Sequence, residues 1–151
     1  MTERDDSAAR FELPVRVYIE DTDAGGIVYH AKYLHYMERA RTEWVRTHGV
    51  GLRAGLAENI SYVVQGLTIN YRKPARLDDE LLVTAELADF GRVSMDFRQC
   101  VRRAVDQAVL TEATVRVACI ALDTGRPRRL PDDLATLLAE HTSTRQPENQ
   151  E

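Results

Sequence analysis

Residues 20–48 read EDTDAGGIVYHAKYLHYMERARTEWVRTH, and the change of pattern inside this run decides the architecture. Its first part, EDTDAGGIVYH, gathers Asp, Thr and paired Gly residues, which signals a loop with unusual backbone angles. From about Ala31 the period becomes helical. Leu34, Met37, Trp44, Val45 and His48 share one face, with Glu38, Arg39, Glu43 and Arg46 between them. Gly49 is a natural terminator, so the spacing predicts one amphipathic helix of about 18 residues.

On both sides of this helix the period is that of strands. Phe11–Ile19 (FELPVRVYI) alternates and is rich in β-branched and aromatic residues. After the helix, Tyr62–Tyr71 reads as a long strand, with Gly66 marking a bulge or a close backbone approach. Leu81–Ala88 and Val93–Val101 alternate across a turn at Asp89–Arg92, and Leu110–Leu122 is the last long strand. Pro127 and Pro131 end the sheet, and Asp132–Leu138 can form a short helix. The order is therefore strand, long helix, four strands. One helix can cover only one face of such a sheet. The expected class is α+β, a five-stranded, mostly antiparallel sheet wrapped around one long helix, though this pattern alone leaves other α+β arrangements open.

The 151 residues suit one domain, expected over residues 11–140, with polar tails at 1–10 and 141–151. An apolar share of 44% and a charged share of 29% are those of an ordinary globular chain. A net charge of −4 argues against a general nucleic-acid binder, but leaves room for a local basic patch. No basic segment followed by an apolar one opens the chain, and no apolar run approaches the roughly 18–20 residues of a membrane span. Cys100 and Cys119 are too few for a disulfide framework and lack zinc-ligand spacing, so both are expected reduced and buried. A cytosolic location follows as the expectation.

The opening run resembles the signature of the 4-hydroxybenzoyl-CoA thioesterase family, D-x-D-x-x-G-x-V-x-x-x-x-Y ahead of the helix of a hotdog fold. Asp21, Asp23, Gly26, Val28 and Tyr33 occupy its places. The longer string VYIEDTDAGGIVYHAKYLHYMERARTEW looks like the branch of small acyl-CoA thioesterases associated with the Tol-Pal system of bacterial envelopes. The likeness continues through VVQGLTINYRKPARLDDEL and fades after about residue 130.

The resemblance implies that Asp23 attacks a thioester carbonyl or activates water against it. Read from the residues alone, Asp23 is equally an Asx-turn or helix-capping acid. Gly25 and Gly26 allow close backbone approach to a substrate. The helix entry around Tyr29–Lys32 offers N–H groups and the positive end of the helix dipole to a thioester oxygen. His30 matches the histidine of the envelope-associated branch, where it would orient the carbonyl or deliver a proton, and Tyr33 matches the signature tyrosine bordering the acyl pocket. Arg72, Lys73 and Arg76, around Pro74, form the one dense basic cluster. They suit the phosphates of coenzyme A, or else are a solvated loop. No cofactor is expected. The D-x-D-x-G start of a calcium loop fails because Lys32 stands where the bidentate acid is required, so no metal is expected either.

The expected activity is hydrolysis of acyl-coenzyme A to free acid and coenzyme A. A hotdog dehydratase or hydratase and a non-catalytic acyl-CoA-binding protein are the alternatives. The exposed edge and apolar flank of a small sheet predict a homodimer, paired into a homotetramer.

Overall fold

In the computed structural model of the chain, the described residues are 10–142. The tails expected at 1–10 and 141–151 fall outside that span, save Arg10, which opens the first strand, and His141 and Thr142, which follow the last helix.

β1 (Arg10–Arg16) has the expected alternating burial and carries Pro14 opposite Leu82. The strand does not run on to Ile19. A single 3₁₀ turn at Ile19–Asp21 breaks it, and that turn matters to the site below. Next come α1 (Lys32–Thr47), the short α2 (Leu52–Ala57), β2 (Ile60–Tyr71), β3 (Glu80–Phe90), β4 (Ser94–Arg103), β5 (Val109–Ala121) and α3 (Asp132–Glu140). The sheet is fully antiparallel in the order β1-β3-β4-β5-β2, which confirms the five-stranded α+β expectation. Between Val64 and Gly66 the β2–β5 register shifts, so the bulge expected near Gly66 is present. α2 was not expected; it is short, and Gly55 lies within it.

α1 buries Tyr33, Tyr36, Met37, Ala40, Trp44 and Val45; of the face expected from the helical period, Met37, Trp44 and Val45 are buried, Leu34 is half-buried and His48 is exposed beyond the last turn. The buried side chains pack with Leu81, Val83, Phe97 and Val101 of β3 and β4 into one core. A polar clamp fixes the helix to the sheet. The buried Gln99 amide donates to Met37 O and Thr84 O, each at 3.0 Å, and its Oε1 accepts from Arg41 Nη1 at 2.8 Å. With its hydrogen-bonding groups partnered, this amide avoids the penalty of a buried unmet polar group. Cys119 is buried as expected. Cys100 is only half-buried, because alternation turns it away from Gln99 toward the Thr84 hydroxyl on the other face. Among the described residues no helix is long and apolar enough to cross a membrane.

Candidate active site

The loop ahead of α1 is a small hairpin. Thr22 pairs with Val28, Asp23 N–H donates to Ile27 O at 2.9 Å, and Tyr29 N–H donates to Asp21 O at 2.9 Å. Asp23 forms the bend. Its Oδ1 accepts from Gly25 N–H at 3.0 Å and its carbonyl from Gly26 N–H at 3.1 Å. Gly26 has φ +80°, a conformation that favours glycine, whereas a Cβ at Gly25 would stand 3.6 Å from Asp23 Oδ1, an ordinary contact. The Asp23 side chain is exposed on this single chain.

Asp21 differs sharply from Asp23. Alternation would have placed the two on one side, but the 3₁₀ turn rotates Asp21 inward until its side chain is 7% exposed. It accepts from Tyr18 N–H at 2.9 Å and lies 3.3 Å from Lys32 Nζ, with Tyr36 beside it. Burial alone would raise its pKa; the Tyr18 amide, Tyr36 and Lys32 outweigh that and hold it below the usual value. Burial and this carboxylate together push the Tyr36 phenol well up.

At the helix entry, the Tyr29 amide is committed to Asp21 O and the Lys32 amide to Tyr29 O. The amides of His30 and Ala31 have no hydrogen-bond acceptor among the described residues. The donors expected across Tyr29–Lys32 therefore reduce to these two. Both side chains of the Tyr29–His30 pair are exposed, with ring centroids 4.5 Å apart, and Tyr71 OH donates to His30 O at 2.9 Å. Nothing in the sequence pointed to Tyr71. Tyr33 is buried, with its hydroxyl accepting from Ala75 N–H at 3.1 Å and its ring 5.6 Å from that of Tyr71. Its position is that of a strut beneath the site, and the raised pKa of its phenol follows from burial.

The basic segment is brought to the same place. Val28 N–H donates to Ala75 O at 2.9 Å, Ile27 pairs with Arg76, and Leu77 N–H reaches Gly26 O at 3.4 Å. Its three cations do not act alike. Arg72 donates through Nε and Nη2 to Glu112 Oε1 at 2.9 and 2.7 Å, which neutralises it on the sheet surface. Lys73 and Arg76 are exposed and have no carboxylate within ion-pair distance among the described residues. Sequence proximity joined the three; cross-strand register separates one of them.

A largely apolar cavity of about 360 Å³ lies between α1, from Leu34 to Val45, and the β2, β4 and β5 side of the sheet. Leu34, Met37 and Val45 line it from α1, with Leu67, Phe97 and Val115 opposite. The size is that of a small-molecule site.

The profile of the thioesterase-like superfamily matches residues 17–138. The acyl-CoA thioester hydrolase YbgC of Escherichia coli O157:H7 is 44% identical over 124 residues, covering 82% of this chain and 92% of that protein. The long-chain acyl-CoA thioesterase FadM of Escherichia coli K12 is 31% identical over 107 residues, covering 71% and 80%. Among solved structures, a probable thioesterase from Bartonella henselae superposes with a TM-score of 0.73 at 33% identity, covering 82% of this chain and 99% of that one.

Proposed function

The chain belongs to the thioesterase-like superfamily, and from that premise we propose that it is an acyl-coenzyme A thioesterase whose reacting carboxylate is Asp23. One arrangement carries the reading: the Asp23 bend leads through a short hairpin into a helix entry whose His30 and Ala31 amides have no acceptor among the described residues, ahead of a largely apolar cavity. A thioester carbonyl at that entry would find two N–H donors and the positive end of the α1 dipole where its oxygen gains charge. Asp23 either attacks the carbonyl carbon or takes a proton from the attacking water. The carbon–sulfur bond then breaks, and the coenzyme A thiolate takes up a proton. On the direct route this leaves an acyl–Asp23 anhydride, which water hydrolyses to the free acid and the Asp23 carboxylate; on the water route the free acid forms at once. His30, whose exposed ring lies beside Tyr29, would orient the carbonyl or assist proton delivery to the leaving thiolate. Gly25 and Gly26 keep the bend open to the substrate, and Tyr33 holds the helix entry against the Ala75 segment. The signature string supports the Tol-Pal-associated branch, and the chain's composition supports a cytosolic location. Release of free thiol from a series of acyl-CoAs tests the activity. No turnover of any of them would leave only a binding role.

Lys73 and Arg76 are the proposed grip on the nucleotide phosphates; Arg72 contributes less, because Glu112 already holds it. Replacing Lys73 and Arg76 by Ala is expected to raise KM for acyl-CoA several-fold and to leave kcat nearly unchanged. A pantetheine thioester, which lacks the nucleotide, should not notice the change. Equal losses with both substrates would show that the pair does not grip phosphate.

β2 supports the assembly. It is the longer of the two edge strands, and Val63, Val64 and Leu67 are exposed along it among the described residues. Two copies joined β2 to β2 about a twofold axis would share one continuous sheet, and pairing of such dimers gives a tetramer. Light scattering is expected to report a dimer or tetramer. A stable monomer at micromolar concentration contradicts this.

A further inference from the structure

The cavity runs the length of α1, and its far end is closed by a part of the chain outside the signature. Leu34 and Val45 mark its two ends along α1, about 16 Å apart at the helical rise, and the Leu34 end is the one next to the His30 helix entry, which we take as the mouth. β2 fixes the direction. Tyr71, at its C-terminal end, donates to His30 O beside the mouth, so Tyr62, near its start, lies at the opposite end. There Val45, Val50, Leu52, Tyr62 and Leu134 meet. Leu134 comes from α3, the only contribution of that helix to the lining.

α3 is held firmly enough to act as a wall. Leu134, Leu137 and Leu138 are buried. Just beyond its last turn, the His141 ring lies 5.5 Å from the Trp44 ring and 4.6 Å from the His48 ring, both at the C-terminal end of α1. The Thr142 hydroxyl donates to Leu138 O at 3.1 Å. The helix is thus tied to the same end of α1 that bounds the cavity floor.

We propose that Leu134, backed by Tyr62, is the end wall of the acyl cavity and sets the longest acyl chain that the enzyme accommodates fully. This rests on the thioesterase reading for the identity of the occupant. The occupant is an unbranched aliphatic chain, because the sheet side of the volume is apolar from Leu67 to Tyr62 and Leu34, Met37 and Val45 face it from α1, while His35, Glu38, Arg41 and Thr42 supply the polar part of the lining. Each methylene added within the cavity leaves water and gains about fourfold in binding. Beyond the wall, the added methylenes gain nothing. Affinity against chain length should therefore rise and then break, and the break reads the distance from the reacting carbonyl to Leu134.

The test uses coenzyme A S-alkyl thioethers of increasing chain length, which bind without being cleaved, titrated calorimetrically into the full-length wild type, Leu134→Ala, Leu134→Val and Leu134→Phe. The break is expected to move to longer chains in Leu134→Ala and, by less, in Leu134→Val, and to shorter chains in Leu134→Phe. The shortest thioethers should bind all four proteins within about twofold. Leu134→Val removes a single methylene from this buried position and keeps the measurement possible should the Ala or the larger Phe variant not fold. A break at one length in wild type and every folded variant overturns the proposal. So does an affinity that ignores chain length, the result if a second copy of the chain fills the cavity. Because the thioethers report binding alone, a shifted break without turnover of acyl-CoA would uphold the wall and refute the hydrolase instead.

Discussion

Asp23→Asn is expected to lower kcat by about 10²-fold or more while the protein folds as before, since base catalysis by a positioned carboxylate contributes roughly 10²–10⁴. The structure makes the substitution a clean one. Among the described residues, the only hydrogen bond to the side chain is from Gly25 N–H to Oδ1, and an Asn amide oxygen accepts it equally well. The backbone bonds of the bend, from Asp23 N–H to Ile27 O and from Gly26 N–H to Asp23 O, do not depend on charge. Asn is also as good as Asp in caps and turns. Loss of turnover with an unchanged melting temperature therefore isolates chemistry from shape. A folded Asp23→Asn enzyme that cleaves its best acyl-CoA at near-native rate removes Asp23 from the mechanism.

The neighbouring acid should respond in the opposite manner. Asp21→Asn keeps an acceptor for Tyr18 N–H but leaves Lys32, 21% exposed at the side chain, without its counter-charge. Breaking one side of a buried ion pair costs about 3 kcal/mol. In a domain of this size that corresponds to a melting point lower by roughly 10 °C. The pH dependence follows from the direction of the pKa shift. Asp21 is held below its ordinary value in the folded state, so its contribution is fully present above the unfolded pKa, about 4, and is lost as pH falls through the folded one. Wild type and Asp21→Asn should thus differ most near neutrality and converge in acid. Adding Lys32→Met removes the stranded charge, so the double variant is expected to regain much of the loss. A melting temperature for Asp21→Asn equal to that of wild type at pH 7 would show that the pair contributes nothing.

The contrast between these two acids shows where sequence reading stopped. Strand alternation and part of the helical stripe were legible because each is a local period: β2 to β5 lie within two residues of their expected ends, and Met37, Trp44 and Val45, counted onto one face of α1, are in the core, whereas Leu34 is half-buried and His48 exposed. The D-x-D spacing was equally visible, but its sidedness was not. That depended on a three-residue turn at Ile19–Asp21 which no period announces. The contacts that assemble the site link distant segments: Ile27 with Arg76, Tyr33 with Ala75, and Tyr71 with His30. Arg72 looked free until the register of β2 on β5 set it beside Glu112. α2 escaped notice because six residues are too few to show a helical period. α3 was expected, but its place at the floor of the cavity could not be read from a stretch where the family likeness had already faded.

The two margins of the sheet are unequal, and the inequality bears on how far association can go. β1 is seven residues long, has arginine at each end and carries Pro14 within it. A proline has no amide hydrogen to offer an incoming strand. The twelve-residue β2 has no such block. Copies that meet through β2 use up the more receptive margin of each, and the pair then presents only proline-bearing margins outward. At Pro14 a further strand would find no amide hydrogen to pair with, so β1 is the poorer of the two margins for strand addition.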